Sequence, residues 1–227
     1  QGMSYHGGLM GVVVAAVIYA RVKKLDLLEW GDTLAASVPL GYTFGRLGNF
    51  INGELYGRVS EASWAVLFPS ARRYPASDEW VAETAERVGV VVRDPSQLVN
   101  LPRHPSQLYE AALEGVLLWL LLWFVFRRER PFKGALLALY LAGYGAARFM
   151  VGYFRQTDEA RGFVLALGAP EANAALVSTF GNITEGQIIS LAMVAAGVGA
   201  LIAFRFIPRP PPAVHTFDVD ETPTPST

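Results

Sequence analysis

The chain has 227 residues, no cysteine and a formal net charge of −1. Hydrophobic residues make up 52 % and charged residues only 17 %, against about 25 % charged in a typical soluble domain, and the mean hydropathy is +0.30. These values exclude disulfides, thiolate metal sites and a cysteine nucleophile. No basic stripe points to nucleic acid, and the composition is that of a membrane protein.

The opening QGMSYHGG has neither a basic leader nor a cleavage site, so it is not a signal peptide. It runs almost directly into apolar sequence and reads as a chain whose earlier part is missing. Five segments are apolar enough for a bilayer, which needs about 20 such residues: roughly 5–20, 33–51, 108–126, 134–154 and 186–207. The first is short, and the second is weakened by Pro39, its glycines and Arg46. The expected fold is therefore all-α, a polytopic helical membrane protein with about five transmembrane helices and a small extracytoplasmic head.

Lys and Arg in the short turns orient it. Arg21, Lys23 and Lys24, then Arg127, Arg128, Arg130 and Lys133, then Arg205 and Arg209 fall on one side if the segments alternate. That side is expected to be cytoplasmic. The chain then divides into membrane helices over 1–54, an outward head over 55–104, membrane helices over 105–207 and a disordered Pro/Thr-rich tail over 208–227. In the head, residues 79–90 have the pattern of a short amphipathic helix. Thr184 and Gln187 have the spacing of a capping box that opens the last helix.

Two arginines, Arg46 and Arg148, fall inside expected spans. Each would cost about 2.5–3.5 kcal/mol at a helix centre on insertion scales, so such residues usually face a polar cavity. Snorkelling, or a structural pair with Glu54 or Glu114, is the bland alternative. At 1.5 Å per residue, Arg46 lies roughly 20 Å and Arg148 roughly 21 Å from the cytoplasmic side, and His6 roughly 22 Å above Arg21. Three polar groups on three helices thus reach one level, with Glu114 somewhat deeper on a fourth. Tyr144 and Arg148 share a helix face, which Arg155 continues, and Arg46 shares one with Asn49. The glycines at 48, 53 and 57 are expected to end the helix, leaving Glu54 and Arg58 just outside. Two arginines at headgroup level fit a phosphate held by forked hydrogen bonds, and a histidine there fits a general base. His104, Gln107, Tyr109 and Glu110 could line the rim of the site or anchor the chain at the interface. No Asp/Glu/His cluster has metal-ligand spacing. There is no P-loop and no GxSxG, and no cofactor is implied.

GRLGNFINGELYGR at 45–58 resembles the signature of the bacterial prolipoprotein diacylglyceryl transferase family. So do MSYHGGLMG at 3–11, RHPSQLYE at 103–110, GYGAARFMVGYFRQTD at 143–158 and GQIISLAM at 186–193. The resemblance implies a multi-pass enzyme of the bacterial plasma (inner) membrane, its active site toward the outer leaflet. The implied partners are phosphatidylglycerol, prolipoprotein signal peptides with a lipobox cysteine, and the bilayer itself. The reaction moves a diacylglyceryl group to the cysteine thiol, forming a thioether and releasing glycerol phosphate. By the same resemblance His6, Arg46 and Arg148 are the catalytic positions, and Arg46, Asn49, Glu54, Gly57, Tyr144, Arg148 and Arg155 the substrate-binding ones. The chain departs from the family at Gly152, where a glutamate is usual, and at Thr157, where a proline is. The family's first helices are also missing from it. A lipid-binding or transport protein without chemistry is the rival reading.

Overall fold

The computed structural model describes residues 5–128, 131–156, 162–167 and 181–207. Helix α1 (Tyr5–Val22) turns into α2 (Leu27–Ala35), which is capped by Asp26: its carboxylate accepts the amides of Leu28 and Glu29. Helix α3 (Val38–Asn52) carries Pro39 in its first turn and stops at Gly53, whose φ of 68° makes the left-handed cap that glycine adopts without strain.

The expected single segment 33–51 is thus two helices, parted at Ala36 and Ser37. The cause is Pro39. It has no N–H to donate to the carbonyl of Ala35, and its ring crowds that carbonyl, so α2 cannot run on. A depth counted from Thr33 along one straight helix therefore does not hold for Arg46.

The segment 55–104 has its own small core of Val59, Tyr74, Ala76, Val81, Ala85, Val99 and Leu101. Strands β1 (Tyr74–Pro75) and β2 (Leu98–Val99) pair antiparallel, and helix α4 (Glu79–Arg87) buries Val81, Thr84 and Ala85 on one face, as its sequence pattern predicts.

Helix α5 (Ser106–Phe126) follows. It contains two runs of π-helical turns, Ala111–Leu117 and Leu121–Phe126, a wider winding that recurs at functional sites. Helix α6 (Ala135–Gly152) is begun by a buried acid from α2: Asp32 accepts the amides of Gly134 and Leu137 at 3.0 and 2.9 Å. This is a helix N-terminus satisfied by a carboxylate, with the macrodipole in its favour. Strands β3 (Leu165–Ala166) and β4 (Asn182–Ile183) pair antiparallel before α7 (Glu185–Phe204). The predicted capping box opens α7, Thr184 and Gln187 bonding reciprocally.

The chain is mostly helical. Among the described residues, three helices, α5, α6 and α7, are long and apolar enough to cross a membrane, and α1 carries a shorter apolar stretch, Met10–Val22. Helices α6 and α7 make the most extensive helix contact. Gly145 lies on the Ser190 carbonyl and Gly197 on the backbone of Ala142, small residues letting the helices close up. Ala36, Leu118, Leu122 and Leu136 form a second core, with Trp123, Tyr140 and Tyr144 packed on it. The expected tail 208–227 and Thr157 lie outside the described residues.

Candidate functional site

The site begins with two Tyr-to-Arg pairs at four-residue spacing. Tyr42 and Arg46 share a face of α3, and Tyr144 and Arg148 share a face of α6. The tyrosine rings meet edge to face, 5.8 Å between centroids and 90° between planes. The Arg46 guanidinium lies 4.7 Å from the Tyr42 ring centre.

A pair of acids at the same spacing, Glu110 and Glu114 on α5, closes the arrangement from behind. Both are 0 % exposed. Glu110 Oε2 is ion-paired with Arg46 Nε at 2.7 Å and lies 3.2 Å from the Tyr42 hydroxyl. Glu110 Oε1 accepts from Arg155 Nη1 at 2.7 Å. Glu114 Oε2 accepts from Tyr42 at 2.7 Å. Arg148 Nη1 lies between the two carboxylates, 3.0 Å from Glu110 Oε1 and 3.6 Å from Glu114 Oε1, with no aligned hydrogen bond to either. Glu114 gets this near to α3 because Gly115 leaves room: a Cβ there would overlap Thr43 Oγ1.

In front of the guanidiniums is a cavity of about 770 Å³. Its polar wall is Tyr42, Arg46, Asn49, Tyr144, Arg148 and Arg155, and its apolar wall is the first turns of α7, with Ile189 and Met193. The arginine side chains are 16 %, 22 % and 27 % exposed. Each guanidinium has five N–H donors, of which the glutamates engage only part. Such groups, fixed on one side and open on the other, bind an oxyanion.

Five of the sequence-predicted site residues therefore line one cavity: Arg46, Asn49, Tyr144, Arg148 and Arg155. Asn49 accepts from Arg46 Nη1 only loosely, at 3.5 Å. Glu54 and Gly57 are not on the cavity wall. The Glu54 backbone carbonyl accepts from Gln107 Nε2 at 2.7 Å. Gly57 is a close-approach residue: a Cβ there would stand 2.5 Å from the Phe154 carbonyl and 2.7 Å from that of His104. His6 stands in the first turn of α1, and its side chain lies outside the described residues.

Of the four residues placed at the rim or the interface, Glu110 is neither; it is the buried hub. Tyr42 was not singled out at all, although its spacing from Arg46 repeats that of Tyr144 from Arg148. The pairing of Arg46 falls to Glu110 rather than Glu54 or Glu114. At Gly152 an added Cβ would meet Gln187 Cγ at 2.7 Å, so the glycine makes room for the Gln187 side chain, whose Nε2 donates to the Phe149 carbonyl.

The 55–104 segment is stapled to the end of α6. Gly57 bridges Arg155, the Arg58 amide donates to the Phe154 carbonyl at 2.9 Å, and the His104 amide donates to the Arg58 carbonyl at 2.9 Å. Burial pulls the Arg58 guanidinium down to about 10, still charged at neutral pH, and holds His104 below its ordinary value. The Trp64 indole can only donate, so the Tyr109 oxygen accepts from it at 2.7 Å. The one Tyr109 hydrogen is then free for His104 Nδ1, 3.1 Å away.

The family model described as prolipoprotein diacylglyceryl transferase matches residues 1–203. The chain is 43 % identical over 205 residues to the phosphatidylglycerol–prolipoprotein diacylglyceryl transferase of Treponema denticola, covering 89 % of this chain and 60 % of that protein. It is 44 % identical over 206 residues to the enzyme of that name from Treponema pallidum, with 89 % and 61 % covered. Against the one from Burkholderia thailandensis it is 46 % identical over 209 residues, with 90 % and 64 % covered. The chain thus spans about three fifths of the length of these relatives.

Proposed function

This chain belongs to the prolipoprotein diacylglyceryl transferase family, and from that premise we propose that it moves the diacylglyceryl group of phosphatidylglycerol to the lipobox cysteine thiol of a prolipoprotein. The observation that carries this reading is the cavity walled by three guanidiniums that two buried glutamates hold from behind. Three cations face two carboxylates, so the wall is net positive, which suits the negative charge of a phosphodiester. The apolar wall from α7 suits the glyceride part of the same lipid.

In the reaction the cysteine thiolate attacks the glycerol carbon bonded to the phosphate oxygen. The carbon–sulfur bond forms as the carbon–oxygen bond breaks, and glycerol phosphate leaves with the electron pair. Arg46 and Arg148 take up the charge gathering on the leaving phosphate, Arg155 extends the same wall, and Asn49 and Tyr144 border the headgroup. His6 takes the thiol proton. Glu54 and Gly57 act through the loop they shape beside the cavity. Five membrane segments, α1, the α2–α3 pair, α5, α6 and α7, would put the arginines at the outer headgroup level of the inner membrane. Residues 55–104 form the outward head, and residues 208–227 the cytoplasmic tail.

The test is formation of a chloroform-extractable thioether from phosphatidylglycerol and a lipobox peptide by the protein in vesicles. Product is expected with a Cys peptide and none with a Ser peptide. A protein that binds the lipid but forms no product would be the transport or binding protein instead. Near-normal turnover by Arg148→Ala would sink the phosphate role, and by His6→Gln the base.

A further inference from the structure

We infer that Glu110 is the positioning residue of the cationic wall: it does not touch the lipid, but fixes Arg46 and Arg155 so that Arg148 is left for the phosphate. The inference rests on the diacylglyceryl-transfer reading above.

Glu110 is fully buried and absent from the cavity lining, whereas all three arginines line it. Its two oxygens are used unequally. Oε2 is ion-paired with Arg46 Nε and Oε1 takes an aligned Nη1–H from Arg155, each at 2.7 Å. Arg148 Nη1 comes to 3.0 Å of Oε1 but, with that oxygen already taken by Arg155, makes no aligned bond. The three cations arrive from α3, from α6 and from the chain just after α6, and Glu110 alone among the described residues is ion-paired with all three. Remove its charge and three like charges remain around Glu114, which already accepts the Tyr42 hydroxyl. The wall would spread and its N–H groups would turn to whatever small anion arrives.

The expected signature is a split. In proteoliposomes Glu110→Gln should lower kcat for thioether formation about 100-fold, the scale of a misplaced catalytic group. It should also bind sn-glycerol 1-phosphate more tightly, by about tenfold as product inhibition, because a competing like charge is gone. Glu110→Asp keeps the charge one methylene further back. It should keep wild-type inhibition by glycerol phosphate and lose turnover only about tenfold. A role in folding alone would weaken turnover and anion inhibition together, along with melting temperature. The inference is overturned if Glu110→Gln turns over within about threefold of wild type, or if its lost turnover comes with weaker glycerol phosphate inhibition. If Glu110→Gln fails to fold, Glu110→Asp decides: kcat within about threefold of wild type overturns the inference, and a fall with the lipid KM unchanged supports it. A wild-type protein that makes no thioether and is not inhibited by glycerol phosphate refutes the parent reading instead.

Discussion

Two regions of this molecule bury arginines, and they do it by opposite means. In the 55–104 segment, Arg103 is 0 % exposed and pairs with no carboxylate among the described residues. Its guanidinium donates to the Gln156 side-chain oxygen, the Arg72 carbonyl and the Tyr74 hydroxyl, and lies over the rings of Tyr56 and Tyr74. Its acceptors are all neutral, and it does not line the cavity. In the membrane cluster, Arg46, Arg148 and Arg155 are held by carboxylates on one side and open to a cavity on the other. The first arrangement is closed on all its bonded sides, and the second is open on one. A buried arginine reads as functional when its charge is balanced from behind and its remaining donors face empty space.

The sharpest test of that contrast compares the two classes directly. Arg148→Lys keeps the charge but not the planar fork. It should lower thioether turnover about 10²–10³-fold, the cost of losing one preorganised donor, with the melting temperature in detergent nearly unchanged. Arg103→Met should do the reverse at its origin. It strands the acceptors of Gln156, Arg72 and Tyr74, at about 1–3 kcal/mol for a buried group left unpaired, read as a lowered midpoint of thermal unfolding.

Smaller effects probe the seam between the regions. Gly57→Ala puts a methyl against two backbone carbonyls and should cost about 1–3 kcal/mol, the range for overpacking. Turnover should fall with it, because Arg155 is across the bridge. Gly152→Glu, which restores the side chain usual in the family, should not help this chain. Gln187 must give way, and stability should fall by about 1–2 kcal/mol unless Gln187→Ala is made with it. The least of the effects is one of pH. His104 is held below its ordinary value, so the unfolded chain binds its proton more readily. Stability should therefore decline as pH drops below about 6.5, the unfolded value, and flatten once the folded histidine is also charged. The pH dependence of unfolding in wild type and His104→Gln checks this, and a curve unchanged by the substitution would refute it.

The parts that were legible in the sequence are those set by local composition. Helices α5, α6 and α7 match the apolar runs to within a few residues, because continuous hydropathy and the Asp/Glu/Lys/Arg at their ends are both local signals. The head helix and the capping box were legible for the same reason. The segment 33–51 was misjudged because hydropathy does not register a backbone break that Pro39 imposes on residue 35. Five members of the site were visible through four-residue spacing and motif membership. Glu110 was not, since a carboxylate one turn after Pro105 looks interfacial until three arginines from elsewhere in the chain are brought against it. Tyr42 could have been found by applying to Arg46 the spacing already noticed for Arg148. Gly57 shows the limit of motif reasoning: membership of the signature says that the position matters, while the contact with Phe154 and His104 says why.

Arg155 belongs to both regions at once. Its backbone is bridged to Gly57 at the foot of the head, and its side chain is bonded to Glu110 in the cluster. A residue tied at both ends works as a lever. A force on the 55–104 segment reaches the same residue that helps set the charge geometry, and by reciprocity an anion settling among the arginines would act back on that segment. An anion bound in the cluster and a contact made on the 55–104 segment would thus be coupled through a single amino acid.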